Sequence, residues 1–492
     1  MSIDSDYLYK DIGRAEETEA NEEEDRLQKY PSVNDMTGLE QEKVKTGLDL
    51  DLNKILEIDH PDYQIAFETT GEINHIINFV CENIVDREEI VRQSFYAILT
   101  GEHQLILGRT GMAKSLLARQ IFSSFEDIKL FQKQLTKDTM PDNMFGAYNM
   151  DDLKRGKLIH NIKGSIVASD FAFLDEIFDA NDMLLRSLLT LLNEKRLVNG
   201  EQIVDSPLNT VIAASNYIRA TEMLEAVLDR FLYKCYIMEN KNLYYKLSID
   251  QVYRKNVGKI RQSDVTLDLE RLNHIKLLIK TQSIKIPEYI LFLKNYIIRK
   301  YTEESKRIEG GYNFMISDRT AAKTQNLLRA SAILDGRAVV EERDLNNLYY
   351  LICIVGKEEE KRRLKGIIDA TKKYFFDDKQ LLNRLFNIMS IFRTIKSAKD
   401  PGALVEHQNF GLIIDEIERS FVEASIKNRL MTFVNKIGFR PSKSRLIHLL
   451  EIFEESCSLL KEMAIKKETL ELIEGFEHDV KRFNDVHFRQ SK

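Results

Sequence analysis

Between Leu105 and Gln120 the chain reads LILGRTGMAKSLLARQ: three apolar residues, a turn holding Gly108 and Gly111, and then the pair Lys114-Ser115. A glycine-containing turn between a strand and a helix lets backbone N–H groups surround phosphate oxygens, and the helix N-terminus adds a favourable dipole. In that chemistry Gly108, Arg109, Thr110, Gly111, Met112, Ala113, Lys114, Ser115 and Leu116 wrap the nucleotide. Lys114 reaches the outer phosphates, and the Ser115 hydroxyl is a ligand to Mg2+. The usual signature carries glycine where this chain has Ala113. An alanine fits there with negative φ at the start of a helix, which leaves Gly111 to carry the tight turn. Taken alone, the stretch is equally a strand-to-helix turn that holds no ligand.

A second stretch decides between these readings. In FAFLDEIFDAN an apolar run delivers Asp175 and Glu176 to the end of a strand, 61 residues after Lys114 (175 − 114). A nucleotide hydrolase places one carboxylate on magnesium, here Asp175, and another on the attacking water, here Glu176. A charged pair can end any buried strand, but both features at this spacing point to ATP hydrolysis with Mg2+. NTVIAASN then ends in Asn216, whose amide could orient the attacking water, sense the γ-phosphate, or merely cap the next helix. Arg230 in AVLDRFL and Arg319 in ISDRTAAK offer cations where negative charge grows during phosphoryl transfer; each also reads as a surface arginine.

These residues need a scaffold that brings several strand ends together. From about residue 101 to 245, short buried runs (HQLILG, IKLFQKQL, DFAFLDE, NTVIAAS, FLYKCYI) alternate with helical patterns, which predicts an α/β fold with a parallel sheet covered by helices. Asp86 and Glu89 predict a capping box opening a helix that runs to Thr100 and stops at Gly101. Beyond residue 245 the pattern is helical. Pro287 suits a first turn, and Ser317 or Asp318 caps the helix after it. The expected division is an acidic, loosely ordered arm over 1–60, a nucleotide-binding core over 61–245, a helical linker and lid over 246–355 and a helical domain over 356–492. In the last, LIHLLEIFEESCSLLKEMAIKKETLELI reads as packed helices, with partner docking as the alternative.

The 492 residues, 43% hydrophobic and 30% charged, describe a globular protein. No apolar window is long enough to span a membrane and the N-terminus has no signal-like pattern, so a cytoplasmic location without membrane insertion is expected. The four cysteines, Cys81, Cys235, Cys353 and Cys457, are far apart and read as buried thiols. A net charge of −7 disfavours a broad hold on nucleic acid and favours protein partners.

Two further stretches read as β-hairpins: NEKRLVNGEQIVDSP, with Asn199-Gly200 between Leu197-Val198 and Ile203-Val204, and GKLIHNIKGSIVAS, with Lys163-Gly164 near its tip. Their apolar residues Leu158, Ile159, Ile162, Ile166, Leu197 and Val198 are expected to be exposed and to hold a client. Lys154, Arg155, Lys157, Lys163, Lys195 and Arg196 supply only modest basic charge.

With these motifs assembled, the chain resembles the MoxR-type AAA+ ATPases, nearest their regulatory ATPase variant (RavA) branch. The resemblance rests on GMAKS, GEHQLILG, FLDEIFDANDMLLRSLLTLLNEKRLVNG, VIAASN, LDRF and SDRTAAKTQNLLRASAILDGR, and covers roughly residues 72 to 345. It implies a P-loop core with a five-stranded parallel sheet, β-hairpin inserts and an all-α lid. By that similarity Lys114 and Ser115 are Walker A, Asp175 and Glu176 Walker B, Asn216 sensor 1, Arg230 the arginine finger and Arg319 sensor 2. It further implies ATP and Mg2+, a homo-oligomeric hexameric ring, and a protein client with a von Willebrand factor A domain. The family commonly has a proline pair at Arg109-Thr110, and no β-rich module of the RavA branch is visible over 356–492. A magnesium-chelatase-like or nucleic-acid-translocating motor, or a nucleotide-gated scaffold, are the alternative functions.

Overall fold

The computed structural model describes residues 61–199, 202–218, 224–239, 241–256, 259–307, 316–353, 356–405, 408–421, 424–437 and 445–488. The arm expected over 1–60 and the tip residue Gly200 lie outside them. The chain divides into two compact units, the first ending at Ala370 and the second running from Thr371.

The first unit opens with helices α1 (Pro61–Asn83) and α2 (Glu88–Thr100). The capping box expected at Asp86 does not form. Asp86 has φ 59°, its carboxylate pairs with Arg87, and the N-cap of α2 is Arg87 without a side-chain cap. A left-handed residue turns the Asp86 side chain away from the helix N–H groups it would have to reach. Gly101 ends α2 as expected, its N–H bonded to the carbonyls of Ala97 and Ile98.

Strands and helices then alternate: β1 (Gln104–Gly108), α3 (Lys114–Phe122), β2 (Leu130–Gln134), α4 (Asp142–Phe145), α5 (Met150–Lys154), β3 (Phe171–Asp175), α6 (Asp182–Glu194), the pair β4 (Arg196–Asn199) and β5 (Gln202–Asp205), β6 (Thr210–Ser215), α7 (Leu224–Arg230) and β7 (Tyr233–Ile237). The sheet order is β2-β3-β6-β1-β7 and every neighbouring pair is parallel. Leu105 and Leu107 face a core shared with Leu184, Leu188 and Leu191 of α6. On β3, Phe171 packs instead against Phe122 and Phe125. A parallel sheet covered on both faces buries nearly every residue of β1, β3, β6 and β7, which is why these runs read as apolar, while β2 at the sheet margin keeps half-buried and exposed positions and polar residues.

β4 and β5 form the expected antiparallel hairpin, with Leu197 opposite Val204 and Val198 opposite Ile203. The second candidate hairpin is not one. A single bridge joins Tyr148 to His160 across α5, and Ile166–Ala168 form a 3₁₀ turn capped by the Ser165 hydroxyl. Most of its apolar residues go inward: Ile166 and Val167 are fully buried and Ile162 packs on the same core, while Leu158 stays exposed. The two inserts are stitched together, because the Gln202 side chain accepts from the His160 N–H at 2.7 Å and donates to the His160 carbonyl at 3.0 Å.

Helices α8 (Leu243–Asn256), α9 (Leu269–Lys280), α10 (Glu288–Lys306), α11 (Asp318–Leu334), α12 (Tyr349–Ile352) and α13 (Glu358–Tyr374) follow. Pro287 is the N-cap of α10, and the Ser317 hydroxyl caps α11 through the Thr320 N–H. The second unit is helical: α14 (Lys379–Ser397), α15 (Pro401–Val405), α16 (Gln408–Arg419), α17 (Ala424–Ile437), α18 (Arg445–Met463) and α19 (Lys467–Phe488). Phe392 meets Phe453, Phe476 and Phe483 edge to face, and Leu449, Phe453 and Leu460 of α18 are buried among them. The amphipathic run is therefore core. Among the described residues no helix is long and apolar enough to cross a membrane. All four cysteines are free; Cys81 is half-buried and the other three are buried.

Candidate functional site

The ends of β1, β3 and β6 converge because parallel neighbours share one direction. Leu107 pairs with Ser215, and Leu174 with Ala213. The residues just beyond those ends, Gly108, Asp175, Glu176 and Asn216, therefore share one edge of the sheet. Gly108 lies against β7 so closely that a Cβ there would sit 2.9 Å from the Ile237 carbonyl oxygen, which only glycine permits without displacing the strand.

The loop after Gly108 carries two left-handed residues, Gly111 (φ 82°) and Ala113 (φ 59°). The negative φ expected at Ala113 is thus corrected. Alternating left-handed residues turn successive backbone N–H groups towards one point, the concavity that binds anions, and that geometry takes precedence over the alanine's own preference. Ala113 is the N-cap of α3 and its carbonyl accepts the first helical bond, from Leu117 N–H at 2.9 Å.

A hydrogen-bonded chain links the five polar groups singled out in the sequence. The Lys114 ammonium donates to the carbonyls of Gly108 (2.5 Å) and Arg109 (3.3 Å) and to Asn216 Oδ1 (2.5 Å). Asn216 turns its amide Nδ2 to Glu176 Oε1 and its backbone N–H to Glu176 Oε2 at 3.2 Å. Ser115 Oγ donates to Asp175 Oδ2 at 2.8 Å. Burial lowers the Lys114 pKa, with Glu176 and Asp175 pulling the other way. Glu176 sits at φ 56°, a left-handed turn that aims its carboxylate back over the strand ends. The Ser115 and Asp175 oxygens meet as a hydroxyl and a carboxylate, a donor pair suited to a hard cation such as Mg2+. Among the described residues there is no cluster of three or more His, Cys, Asp or Glu side chains that could bind a metal by itself.

The two arginines lie elsewhere. β7 begins where β1 begins, with Tyr233 opposite Gln104, so Arg230 at the end of α7 stands at the opposite edge of the sheet from Gly108. Arg230 Nη1 pairs with Asp229 at 2.6 Å. Arg319 Nη2 reaches Asn193 Oδ1 at the far end of α6, and its neighbour Lys323 pairs at 2.8 Å with Glu102, just before β1. Roughly 13 Å of strand separates the two edges, so neither guanidinium reaches the Lys114 cluster of its own chain.

Sequence reasoning did not find a cavity of about 520 Å³ beside the end of β7. Arg87, Glu89, Ile237, Met238, Tyr349 and Lys361 line it. Ile237 is the register partner of Gly108, so this wall of the cavity lies at the end of the sheet from which the glycine turn leaves. Its walls come from segments more than 250 residues apart, joined by the Lys361–Glu89 ion pair, and no local pattern signals it.

On the inserts, Leu197 is only 8% exposed, Ile166 is fully buried and Ile162 packs on the core, so the exposure expected of these three is corrected, while Leu158 and Val198 are exposed as expected. Val198 (52%) and Ile203 (65%) are the outward residues of the hairpin, with Leu158, Met150 and Leu153 exposed on the neighbouring segment.

Comparison with known proteins agrees with this geometry. Residues 71–276 match the MoxR domain of the MoxR-vWA-beta-propeller ternary systems, and residues 285–368 match an AAA lid domain. One uncharacterised protein of Methanocaldococcus jannaschii is 28% identical over 389 residues, covering 75% of this chain and 95% of the relative. A second from the same organism is 29% identical over 278 residues, covering 54% and 67%. A crystal structure from Cytophaga hutchinsonii superposes with a TM-score of 0.50 at 19% identity, over 63% of this chain and 96% of that one, a likeness of fold alone. Through its nucleotide-binding core and lid, the protein belongs to the MoxR-type AAA+ ATPase family.

Proposed function

We propose that this chain binds ATP with Mg2+ and hydrolyses it within a hexameric ring of its own copies in the cytoplasm, using the cycle to remodel or activate a client protein. The observation that carries the reading is the split of the charged set between two edges of one sheet. Lys114, Ser115, Asp175, Glu176 and Asn216 share one edge, and Arg230 and Arg319 stand at the other. An arginine contributes most to phosphoryl transfer when it touches the phosphates, so these two have a role only at a neighbouring copy's site. Head-to-tail contacts of that kind close into rings.

Within one site the residues divide the work. Phosphates entering the loop would take over the Lys114 ammonium from the Gly108 and Arg109 carbonyls, and the nucleoside would extend towards the cavity beside Ile237. Ser115 and Asp175 would hold Mg2+, which offsets phosphate charge when bound. Glu176 accepts the proton of the attacking water as its oxygen bonds to the γ-phosphorus and the bond to the leaving ADP breaks. Asn216 keeps that carboxylate aimed. The family description, a MoxR domain in MoxR-vWA-beta-propeller systems, supports a partner bearing a von Willebrand factor A domain.

The test mixes two inactive proteins. Glu176→Gln subunits retain Arg230, Arg230→Ala subunits retain Glu176, and a ring holding both contains some complete sites. Recovery of ATP hydrolysis on mixing is expected. Rings shown to be mixed yet inactive at every ratio would refute action between subunits.

A further inference from the structure

Lys234, the second residue of β7, is buried, and its ammonium makes three hydrogen bonds that the phosphate site does not use. It donates to the carbonyls of Leu228 (3.1 Å), Phe231 (3.3 Å) and Leu232 (3.3 Å). These acceptors bracket Arg230 on both sides. They belong to the last turn of α7 and the two residues after it, where a helix leaves its carbonyls without intrahelical partners and carries the negative end of its dipole. α7 is a seven-residue helix, and Phe231 N–H to Val227 carbonyl (3.0 Å) is the other bond that closes its end.

The main chain of Lys234 is equally committed. Its carbonyl accepts from Gln93 Nε2 at 3.0 Å, and the same amide reaches the Tyr350 carbonyl at 3.2 Å. Gly356 packs directly on that carbonyl, where a Cβ would approach to 2.6 Å. One residue thus ties the arginine-bearing turn on one side to α2 and the lid segment on the other. Burial of the cation pushes its pKa down to about 8, opposed by Asp229, Cys353 and Glu360. An ammonium is kept in so unfavourable a setting only where its donors are all used.

We propose that Lys234 is a positioning residue for Arg230: its ammonium locks the C-terminal turn of α7 onto β7 and so aims the guanidinium at the neighbouring copy's phosphates. The inference rests on the reading of Arg230 as acting between subunits. A consequence separates it from a purely structural role. Damage at Lys234 falls on the neighbour's site and leaves the subunit's own Walker residues competent.

The experiment uses the full chain with Lys234→Met, which keeps an unbranched apolar stem out to the ε position and removes the ammonium and its donors. Alone, this variant should bind a fluorescent ATP analogue like wild type and lose ATPase activity at least tenfold, because an arginine of this kind contributes 10³-fold or more when fully placed. Adding Lys234→Met to Arg230→Ala should cause no further loss. Mixed with Glu176→Gln subunits, Lys234→Met should recover activity, as Arg230→Ala does. If Arg230→Ala recovers and Lys234→Met does not, the positioning role is wrong while the ring reading stands; if neither recovers, both are wrong. Wild-type activity in Lys234→Met alone would also overturn the proposal. Should Lys234→Met fail to fold, Lys234→Gln keeps one amide donor for the same carbonyls and should show an intermediate loss with the same complementation. A Lys234→Gln protein that stays inactive on mixing would overturn the proposal in the same way.

Discussion

The alanine in the phosphate loop offers a sharp test of the backbone geometry. Ala113 sits at φ 59°, ψ 24°, where a residue with a Cβ is disfavoured by about 1–2 kcal/mol relative to glycine. Replacing it with glycine removes that strain but frees the unfolded chain, which costs about 0.4–1 kcal/mol. The difference predicts that Ala113→Gly stabilises the first unit by about 0.5 kcal/mol, a rise of roughly 1–2 °C in melting temperature for a domain of this size. Ala113→Val should do the opposite and lose more than about 1 kcal/mol, since β-branched residues are true outliers at positive φ. Because the N–H groups are set by the backbone alone, Ala113→Gly should bind ATP as wild type does, while Ala113→Val should bind more weakly. The measurements are thermal melts by circular dichroism and titration with a fluorescent ATP analogue. A glycine variant destabilised by more than about 1 kcal/mol, or a valine variant indistinguishable from wild type, would refute the left-handed loop.

Three further outcomes follow from named contacts. Lys114→Ala deletes the ammonium that bridges Gly108, Arg109 and Asn216 and should abolish ATP binding, whereas Glu176→Gln should bind ATP and lose turnover by at least a hundredfold; equal nucleotide affinity in Lys114→Ala and wild type would refute the phosphate-loop assignment. His103 is buried, with Nδ1 accepting from Val211 N–H and Nε2 donating to the Leu192 carbonyl, and burial followed by the Lys195 charge holds its pKa well below the usual range. The folded protein therefore keeps this imidazole neutral while the unfolded chain takes up a proton below about pH 6.5, so stability should fall by about 1 kcal/mol between about pH 6.5 and 5.5; urea titrations should show this slope reduced in His103→Gln, and an unchanged slope would count against it. Finally, Val198→Ser with Ile203→Ser, at outward positions of the hairpin, should weaken stimulation of the ATPase by a protein client and leave basal turnover near wild type; strong, salt-sensitive stimulation by nucleic acid instead would favour a translocating motor.

What was legible in the sequence was what depends on neighbours along the chain. The five buried runs became the five strands of the sheet, and the carboxylate pair stood at a strand end because an apolar run must stop where the sheet meets solvent. The misreadings share a cause: they turned on which way a residue points. Leu197 and Val198 are adjacent, so in a strand they face opposite sides, and pairing with Val204 and Ile203 decides which side is core. Their equal hydrophobicity hides that choice. Lys163-Gly164 reads as a hairpin tip with Ile166 on the returning strand, yet Gly164 at φ 77° and the Ser165 cap send the chain into a 3₁₀ turn against the core. The negative φ expected at Ala113 failed for a related reason, since a single residue's preference gave way to the convergence of several N–H groups.

Lys234 and the cavity beside Ile237 were invisible for a different reason. A lysine following Phe231, Leu232 and Tyr233 looks like the polar end of a buried strand, and only the fold shows that its ammonium turns back under Arg230. The same holds for the division of charge across the sheet. The sequence names the arginines and the carboxylates, but their separation depends on strand direction: β7 starts beside the first residue of β1, while the phosphate loop leaves from the last. Parallel strands make that separation obligatory, because each strand must send its N-terminal and C-terminal ends to opposite edges. An arginine placed immediately before a strand and a lysine placed immediately after one cannot meet within a single copy of this sheet. Under the proposed role for Arg230, the phosphates it serves belong to a second copy because of strand direction alone, before any contact between subunits is specified.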